Sequence, residues 1–324
     1  MTTVGTWNLE NLFRPGGPFG PRDQGAYDAK LAGLAAAVAA SGADVLAVQE
    51  VGETAALAEL AGRLGGDWQQ VTSAHYESGH PIRVGFLSRL PFEVVADTAA
   101  FPDGLGPVQS GDGGEAIRRA GRGLLAVRVA EAGGGALVLV AAHLKSKLLS
   151  FPPGPSGRPR FQPADEGERA RVAAYALYRR TAEAVTARAL ADRLLEGRGE
   201  ERQVVVMGDL NDGPEAATTQ ILLGPPGSEL GTPGADRPDG GDGARLWNLA
   251  PRIPEDERYS RVYRGRRELI DHLLVSRALL GRAAEVRTLR AGGGGLPSVG
   301  DDPAARRDAP ASDHALLFTR LGPA

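Results

Sequence analysis

Residues 204–212 read Val-Val-Val-Met-Gly-Asp-Leu-Asn-Asp, so four apolar residues run into a glycine and then into three polar side chains separated by one leucine. Such a run, rich in β-branched residues, predicts a strand buried on both faces that stops at Gly208. Asp209, Asn211 and Asp212 then lie at the strand's end, where a rigid scaffold can aim them. A carboxylate beside a carboxamide suits Mg²⁺ or an attacking water, because hard cations prefer oxygen ligands. An ordinary turn is the alternative for this stretch taken by itself.

The composition is that of a globular chain. A length of 324 residues can bury a sizeable core, and the lack of cysteine excludes disulfides, zinc–thiolate sites and cysteine nucleophiles. The net charge is −3, so a site for a polyanion would have to be a local basic patch. No run approaches the ~18 apolar residues of a membrane span, and no signal-peptide pattern opens the chain. We therefore expect a cytoplasmic protein without a membrane span.

Apolar runs and helical periodicities alternate along the chain. Besides the strand at 204–207, strands are predicted at 4–9, 45–48, 82–88, 124–129, 136–142, 268–276 and 315–319. Helices are predicted at 27–40, 53–64 and 168–195, with Asp28 able to cap the first. No repeat or break in composition marks a boundary, and the last strand carries polar groups like those of the first. This pattern predicts a single domain over residues 1–324 whose two ends meet.

Polar side chains stand at the ends of most predicted strands. They are Asn8, Glu50, His143, Asp209 with Asn211, Asp271 with His272, and Asp313 with His314. Each of them alone suits a cap or a turn equally well. Six coincidences of residue type and position make that interpretation poor for the set, so we predict that they share a site.

The motifs that carry these residues follow one another in a characteristic order. They are Thr6-Trp7-Asn8-Leu9-Glu10-Asn11-Leu12-Phe13, Gln49-Glu50, His143-Leu144-Lys145-Ser146-Lys147, Gly208-Asp209-Leu210-Asn211-Asp212, Ile270-Asp271-His272 and Ser312-Asp313-His314. In this order the chain resembles the endonuclease/exonuclease/phosphatase superfamily over nearly its whole length. The resemblance implies an α/β fold, a four-layered α/β sandwich in which two packed mixed β-sheets are flanked by helices. It also implies a metal-dependent phosphoesterase site at one edge.

The resemblance implies that the enzyme needs Mg²⁺ or Mn²⁺. Glu50 would be the main metal ligand, with Asn8 beside it and Asp313 supporting the metal side. Asp209 would orient or deprotonate the attacking water, and Asn211 would hold water or a phosphoryl oxygen. Metal and cationic groups suit this reaction, because charge grows on the phosphoryl oxygens as water attacks.

The resemblance also assigns roles to histidines. His314 would sit on the phosphate opposite the metal, oriented by Asp271. His143 matches a histidine that contacts the phosphate or the leaving group in deoxyribonuclease-like members. Those members often pair it with a carboxylate on a neighbouring strand, here around residues 82–83, and this chain has none there. The role of His143 as an acid is therefore open.

Several basic residues flank these motifs. We predict that Lys145, Lys147 and Arg122 bind substrate phosphates, with exposed or structural positions as the alternative. His75 and His80 lie in a segment without a partner pattern, so they are treated as surface residues. Residues 258–267 contain five arginines and two tyrosines; this segment either lines a nucleic-acid groove or is a charged, solvated loop.

Fold alone does not define a substrate. We predict a metal-dependent phosphodiester hydrolase, an endonuclease or exonuclease that acts on DNA or another nucleic acid. The alternative within the enzyme class is a phosphatase or phosphodiesterase of a small or lipid phosphoester, which the charge of −3 slightly favours. A non-catalytic binding protein is disfavoured, because every expected catalytic position is filled apart from the missing partner of His143.

Overall fold

The computed structural model describes residues 1–131, 135–152, 160–302 and 304–323. Two six-stranded β-sheets pack face to face, and helices cover the outer face of each, so the predicted α/β sandwich is confirmed. The strands are β1 (Thr2–Leu12), β2 (Val45–Val51), β3 (Gln69–Thr72), β4 (Arg83–Ser88), β5 (Phe92–Ala100), β6 (Val108–Gln109), β7 (Ala116–Ile117), β8 (Arg119–Ala130), β9 (Ala136–His143), β10 (Gln203–Asp209), β11 (Trp247–Asn248), β12 (Arg261–Tyr263), β13 (Arg266–Glu268), β14 (Asp271–Val275), β15 (Ala283–Leu289), β16 (Ser298–Val299) and β17 (Leu316–Leu321). The helices are α1 (Gln24–Ser41), α2 (Thr54–Arg63), α3 (Glu166–Leu195), α4 (Ala217–Leu223) and α5 (Arg277–Leu280), with short 3-10 turns at Ala250–Arg252, Glu255–Glu257 and Ala291–Gly293.

The first sheet has the strand order β15-β17-β1-β2-β4-β3, and the second has the order β11-β14-β10-β9-β8-β5. Thr2 lies opposite Leu321 in an antiparallel pair, so the first and last strands meet in one sheet. The strands β13-β12-β16 form a small third sheet, and β6 pairs with β7. No helix of the described residues is long and apolar enough to cross a membrane.

Apolar side chains fill three layers. One core lies between the two sheets, a second between the first sheet and α1 and α2, and a third between the second sheet and α3 and α4. Strands β2 and β10 are therefore covered on both faces, which explains their unbroken apolar runs. The main difference from the predicted elements lies at the start of α1. Asp23, not Asp28, caps it, because the Asp23 carboxylate accepts the Ala26 N–H at 2.8 Å while Asp28 lies inside the helix.

Strand pairing brings the predicted site residues to one edge of the sandwich. In the first sheet β1 runs parallel to β2, with Asn8 opposite Gln49 and hence next to Glu50. In the second sheet β10 lies between β9 and β14, so Asp209 stands opposite both His143 and Asp271. Because the two sheets are packed on each other, both groups face one cleft.

Candidate active site

Asp209 lies at the centre of the site and is almost fully buried. Its Oδ2 accepts a hydrogen bond from Asn8 Nδ2 at 2.9 Å, and its Oδ1 accepts the Asn211 N–H at 2.9 Å. Asn211 has a φ of 55° and donates its Nδ2 to the Leu144 carbonyl at 3.0 Å. The turn considered as the alternative for this stretch is thus present, and it serves to hold the carboxylate.

Gly208 is required by the close approach of β9 and β10. A Cβ atom there would stand 1.8 Å from the Ala142 carbonyl oxygen, and its φ of 151° suits only glycine. Any side chain would push the two strands apart, and with them Asp209 and His143.

Asn8 joins the two sheets at the site. Its Nδ2 donates to Glu50 Oε1 at 3.0 Å as well as to Asp209, and its Oδ1 accepts the Glu10 N–H at 2.9 Å. The second oxygen of Glu50 accepts the Asn11 N–H at 2.9 Å. Asn8 therefore fixes both carboxylates with its amide group.

Backbone strain is concentrated at this edge. Six non-glycine residues of the described chain have positive φ, and four of them belong to the site: Glu10, Asn11, Glu50 and Asn211. Such conformations cost about 1–3 kcal/mol each and persist only where the surroundings enforce them. Here the strain turns the strand ends so that their carboxylates and amides converge.

His314 and Asp271 form a buried pair next to Asp209. His314 Nδ1 donates to Asp271 Oδ2 at 2.7 Å, and its Nε2 lies 3.9 Å from Asp209 Oδ2. Burial alone would lower the pKa of His314, but the carboxylates of Asp271 and Asp313 raise it to about 10. His314 is therefore an imidazolium at neutral pH.

His143 approaches the same oxygen from the other side, with Nε2 3.7 Å from Asp209 Oδ2. Its buried Nδ1 has no hydrogen-bond partner among the described residues. Burial, and then the charge of Arg122, hold its pKa well below the ordinary histidine value. No carboxylate stands at residues 82–83: Arg83 there stacks on the Tyr76 ring and donates to the Gly52 carbonyl. His143 is therefore a neutral imidazole.

The accumulated negative charge at this edge suits a cation. Burial and the neighbouring Asp271 carboxylate raise the pKa of Asp209 to about 7, and Asp271 Oδ1 is buried without a hydrogen-bond partner in the described chain. Ligand atoms of Asp209, Asp271 and His314 lie within 4.8 Å of one another. His314 is a poor ligand, because its Nδ1–H is held by Asp271 and its ring is protonated. The carboxylate oxygens of Glu50 fit a hard divalent ion better.

Asp313 lies beside this group rather than inside it. Its N–H donates to Glu10 Oε2 at 3.0 Å, and its carboxylate is 3.8 Å from Arg261 Nε. Burial and then Asp313 raise the pKa of Glu10 to about 7, although Arg306 binds that carboxylate. In the described structure no hydrogen bond or ion pair joins Asp313 to Glu50.

The predicted phosphate-binding cations are engaged within the protein. Lys145 Nζ donates to Ser146 and Leu148 oxygens at 3.0–3.2 Å, and burial followed by the charge of Arg122 lowers its pKa to about 7. Arg122 donates to the Leu144 carbonyl at 2.9 Å. Lys147 lies 3.0 Å from Asp212. The charges of Arg122 and Lys145 act on His143, and all three residues have partners that hold the loop after β9.

Asp212 and His272 have supporting positions. Asp212 Oδ2 accepts from Arg180 at 2.9 Å and from Thr218 at 2.7 Å. His272 Nε2 donates to the Asp212 carbonyl at 2.8 Å, and its Nδ1 accepts from Asn248 at 3.1 Å. Both residues are buried and fix the turn that follows Asp209.

Two residues near the site carry no sequence signal that we used. His80 is not an isolated surface residue, since it is half-buried against Phe13 and Phe19 and donates to Asn11 Oδ1 at 2.8 Å. Glu183, buried in α3, accepts the Lys145 N–H at 2.5 Å. An acidic residue on the buried face of an Ala-rich helix is the one sequence feature from which Glu183 could have been found.

Comparisons with known proteins show the family of the chain and its fold. A family model described as "Endonuclease/Exonuclease/phosphatase family" matches residues 5–314. No curated protein sequence matches the chain significantly. Similar solved structures include a protein of the same family from Leptotrichia buccalis, with a TM-score of 0.53, 12% identity and coverage of 99% of both chains. The mannosyl-6-phosphatase of Bacteroides thetaiotaomicron has a TM-score of 0.52, 14% identity and 99% coverage of both chains. The 3′ phosphatase NExo from Neisseria, bound to a product DNA hairpin, has a TM-score of 0.52, 16% identity and 99% coverage of both chains.

Proposed function

The chain belongs to the endonuclease/exonuclease/phosphatase family, whose members are typically metal-dependent phosphoesterases, and on that premise we propose that it is a metal-dependent phosphodiester hydrolase that acts on nucleic acid. The observation that carries this proposal is the surroundings of Asp209 Oδ2. This buried carboxylate oxygen lies 3.9 Å from Nε2 of the His314 imidazolium and 3.7 Å from Nε2 of the neutral His143 imidazole. It also accepts a hydrogen bond at 2.9 Å from the Asn8 amide, which binds Glu50 as well.

In the proposed reaction Asp209 accepts a proton from the attacking water. Its pKa of about 7 suits a general base that works near neutral pH. Asn8 and the Asn211 N–H hold the carboxylate in one orientation, so the water is aimed as well as deprotonated. A divalent ion held by Glu50, with Asn8 beside it and Asp313 in support, would neutralise charge on the phosphoryl oxygen.

The two histidines would bind the phosphate differently. His314 presents a charged Nε2–H, and Asp271 behind it keeps the ring protonated and fixed, so it stabilises charge that grows on a phosphoryl oxygen. His143 is a neutral donor or acceptor and contacts the phosphate without adding charge. Lys145, Lys147 and Arg122 add positive potential on the His143 side, which supports a polyanionic substrate.

A second candidate is a phosphatase or phosphodiesterase of a small phosphoester. The net charge of −3 favours it, because long nucleic acids usually meet a strongly basic face. The similar folds leave both open, since one of those proteins is bound to a DNA hairpin and another is a mannosyl-6-phosphatase.

A substrate panel tests the proposal. Bis-p-nitrophenyl phosphate, plasmid DNA, single-stranded oligonucleotides and sugar phosphates are incubated with Mg²⁺, Mn²⁺ or EDTA. We expect metal-dependent hydrolysis of the chromogenic diester and nicking that weakens as salt rises. Asp209→Asn should abolish both, while Asp67→Asn, at an exposed aspartate, should leave them unchanged. Full activity in EDTA or in Asp209→Asn would reject the mechanism, and turnover of sugar phosphates alone would favour the second candidate.

A further inference from the structure

The arginine-rich segment forms a short β-ribbon, β12 (Arg261–Tyr263) and β13 (Arg266–Glu268), which we term the β12–β13 ribbon. Over residues 261–268 it carries four arginines against one glutamate, although the whole chain is acidic. Arg264 at its turn is paired with Asp301. Arg261, Arg266 and Arg267, the remaining arginines of the ribbon, make no hydrogen bond to a carboxylate within the described residues.

The ribbon is attached directly to the chain segments that carry Asp271 and His314. Ser260, just before β12, is fully buried, and its Oγ accepts the N–H groups of Ile270 and Asp271, both at 3.1 Å. The Ser260 carbonyl accepts the Ala315 N–H at 2.8 Å, next to His314. A single residue thus fixes the base of the ribbon to the chain on both sides of the imidazolium–carboxylate pair.

The register decides which arginine faces the site. Residues directly opposite each other in a ladder share a face, so Arg261 shares one with Glu268, and Tyr263 with Arg266. Residues two apart on a strand also share a face, so all four lie on the same side. Arg261 lies 3.8 Å from Asp313 Oδ2, and its guanidinium stands over the Tyr263 ring. This side of the ribbon therefore looks toward the cleft.

Arg267 points the other way. It lies opposite Val262, and its guanidinium is 4.5 Å from the Tyr259 ring centroid, on the far face. Arg266 and Arg267 are adjacent, both exposed, and neither has an acidic partner in the part of the chain that the structure describes. They differ in the face that they occupy, which gives a built-in control.

Of the two arginines on the site-facing side, Arg261 is paired with Asp313 at 3.8 Å, and Arg266 has no carboxylate partner among the described residues. Arg261 Nε is buried without a hydrogen-bond partner among the described residues, and Arg266 lies about 7 Å further along the strand direction from Asp313. Glu268 opposes the charge only at the Arg261 end. A substrate with one phosphate cannot bridge this distance while it occupies the site, whereas a chain of phosphates can, with guanidinium forks as its natural partners.

We infer that the site-facing side of the β12–β13 ribbon binds a phosphate of the nucleic-acid substrate other than the phosphate that is cleaved. Arg266, whose guanidinium is exposed, provides the main charge. The inference rests on the proposed function and adds a second phosphate-binding position to the same site.

The test compares Arg266→Ala with Arg267→Ala, both with Mn²⁺ or Mg²⁺ present. With a single-stranded oligonucleotide, kcat/KM should fall about five- to tenfold in Arg266→Ala and by less than twofold in Arg267→Ala. The negative slope of log kcat/KM against log salt concentration should become shallower by about 0.7 in Arg266→Ala only, because one phosphate contact is lost. Both variants should hydrolyse bis-p-nitrophenyl phosphate like the wild type, because that substrate has a single phosphate.

Each outcome is decisive. Equal losses in both variants would indicate a general field effect and overturn the subsite, as would no loss in either. A wild type that cleaves the chromogenic diester but no oligonucleotide would overturn the inference and the nucleic-acid substrate, while metal-dependent phosphodiester hydrolysis would stand. A wild type that hydrolyses neither substrate with any metal would overturn the proposed function itself.

Discussion

His143 and His314 occupy similar positions and have opposite charges. Both are buried, and both hold Nε2 within 4 Å of the same oxygen, Asp209 Oδ2. Behind His314 stands Asp271, which keeps the ring protonated, whereas burial, and then the charge of Arg122, oppose protonation of His143. The residue behind a histidine, rather than the histidine itself, sets its charge and hence its role.

Removing Asp271 should have the largest effect, because it makes His314 resemble His143. In Asp271→Asn the imidazolium loses its carboxylate partner, and we expect kcat on bis-p-nitrophenyl phosphate to fall roughly 10²–10³-fold. The NMR titration of the His314 ring should move from near pH 10 to below the ordinary value of 6.5. An unchanged titration would show that Asp313 and Asp209 are sufficient to keep the ring charged.

The same pair should make stability depend on pH. The pKa of His314 is about 10 in the folded protein against an ordinary 6.5, so the pair stabilises the fold fully below pH 6.5 and loses this contribution as pH rises toward 10. Urea unfolding of wild type and Asp271→Asn should therefore show a large difference in unfolding free energy at pH 6.5 that narrows by pH 9.5. A constant difference would mean that Asp271 stabilises the fold by packing alone.

His143→Gln should have a smaller effect. The imidazole there is neutral, so its loss removes one polar phosphate contact, and we expect kcat/KM to fall about tenfold. The pH–rate profile of the variant should run parallel to that of the wild type between pH 6 and 8, because no group is removed that titrates in this range. The disappearance of a limb in that interval would instead show that His143 acts as the acid.

Burial explains which strands the sequence predicts. The central strands β2 and β10 are covered on both faces, so their apolar runs stand out. The unpredicted strands β3, β5 and β15 are sheet edges. Their side chains are mostly half-buried or exposed, so β5 reads Phe-Glu-Val-Val-Ala-Asp-Thr-Ala-Ala without a clear period. An edge strand forms because it pairs with a neighbouring strand, and the local sequence pattern holds no information about that neighbour.

The site, too, is only partly predictable from the sequence. That Asn8, Glu50, Asp209, Asp271 and His314 lie together follows from their positions at strand ends. Parallel strands end at the same edge of a sheet, and an antiparallel neighbour begins there, as β14 and β17 do. The hydrogen bonds between these side chains do not follow, because they depend on side-chain directions across sheets. The contact of His80 with Asn11 joins residues 69 positions apart in the chain, and no spacing rule connects them.

Lys147→Ala should have the smallest effect. As with the two histidines, the surroundings of two similar groups, here the cations Lys147 and Arg180, decide what each contributes. Lys147 and Arg180 bind the two oxygens of Asp212 at 3.0 and 2.9 Å, but the Lys147 side chain is 48% exposed and that of Arg180 only 8%. Exposed pairs contribute about 0–1 kcal/mol, so Lys147→Ala should change the unfolding free energy by less than about 1 kcal/mol. Arg180→Met leaves a largely buried carboxylate without its main partner and should cost about 3 kcal/mol.

Hydrolysis of bis-p-nitrophenyl phosphate by Lys147→Ala should stay within about twofold of wild type, since Arg180 still fixes the turn after Asp209. A tenfold loss in this variant, at unchanged stability, would show that Lys147 leaves Asp212 to bind the substrate phosphate.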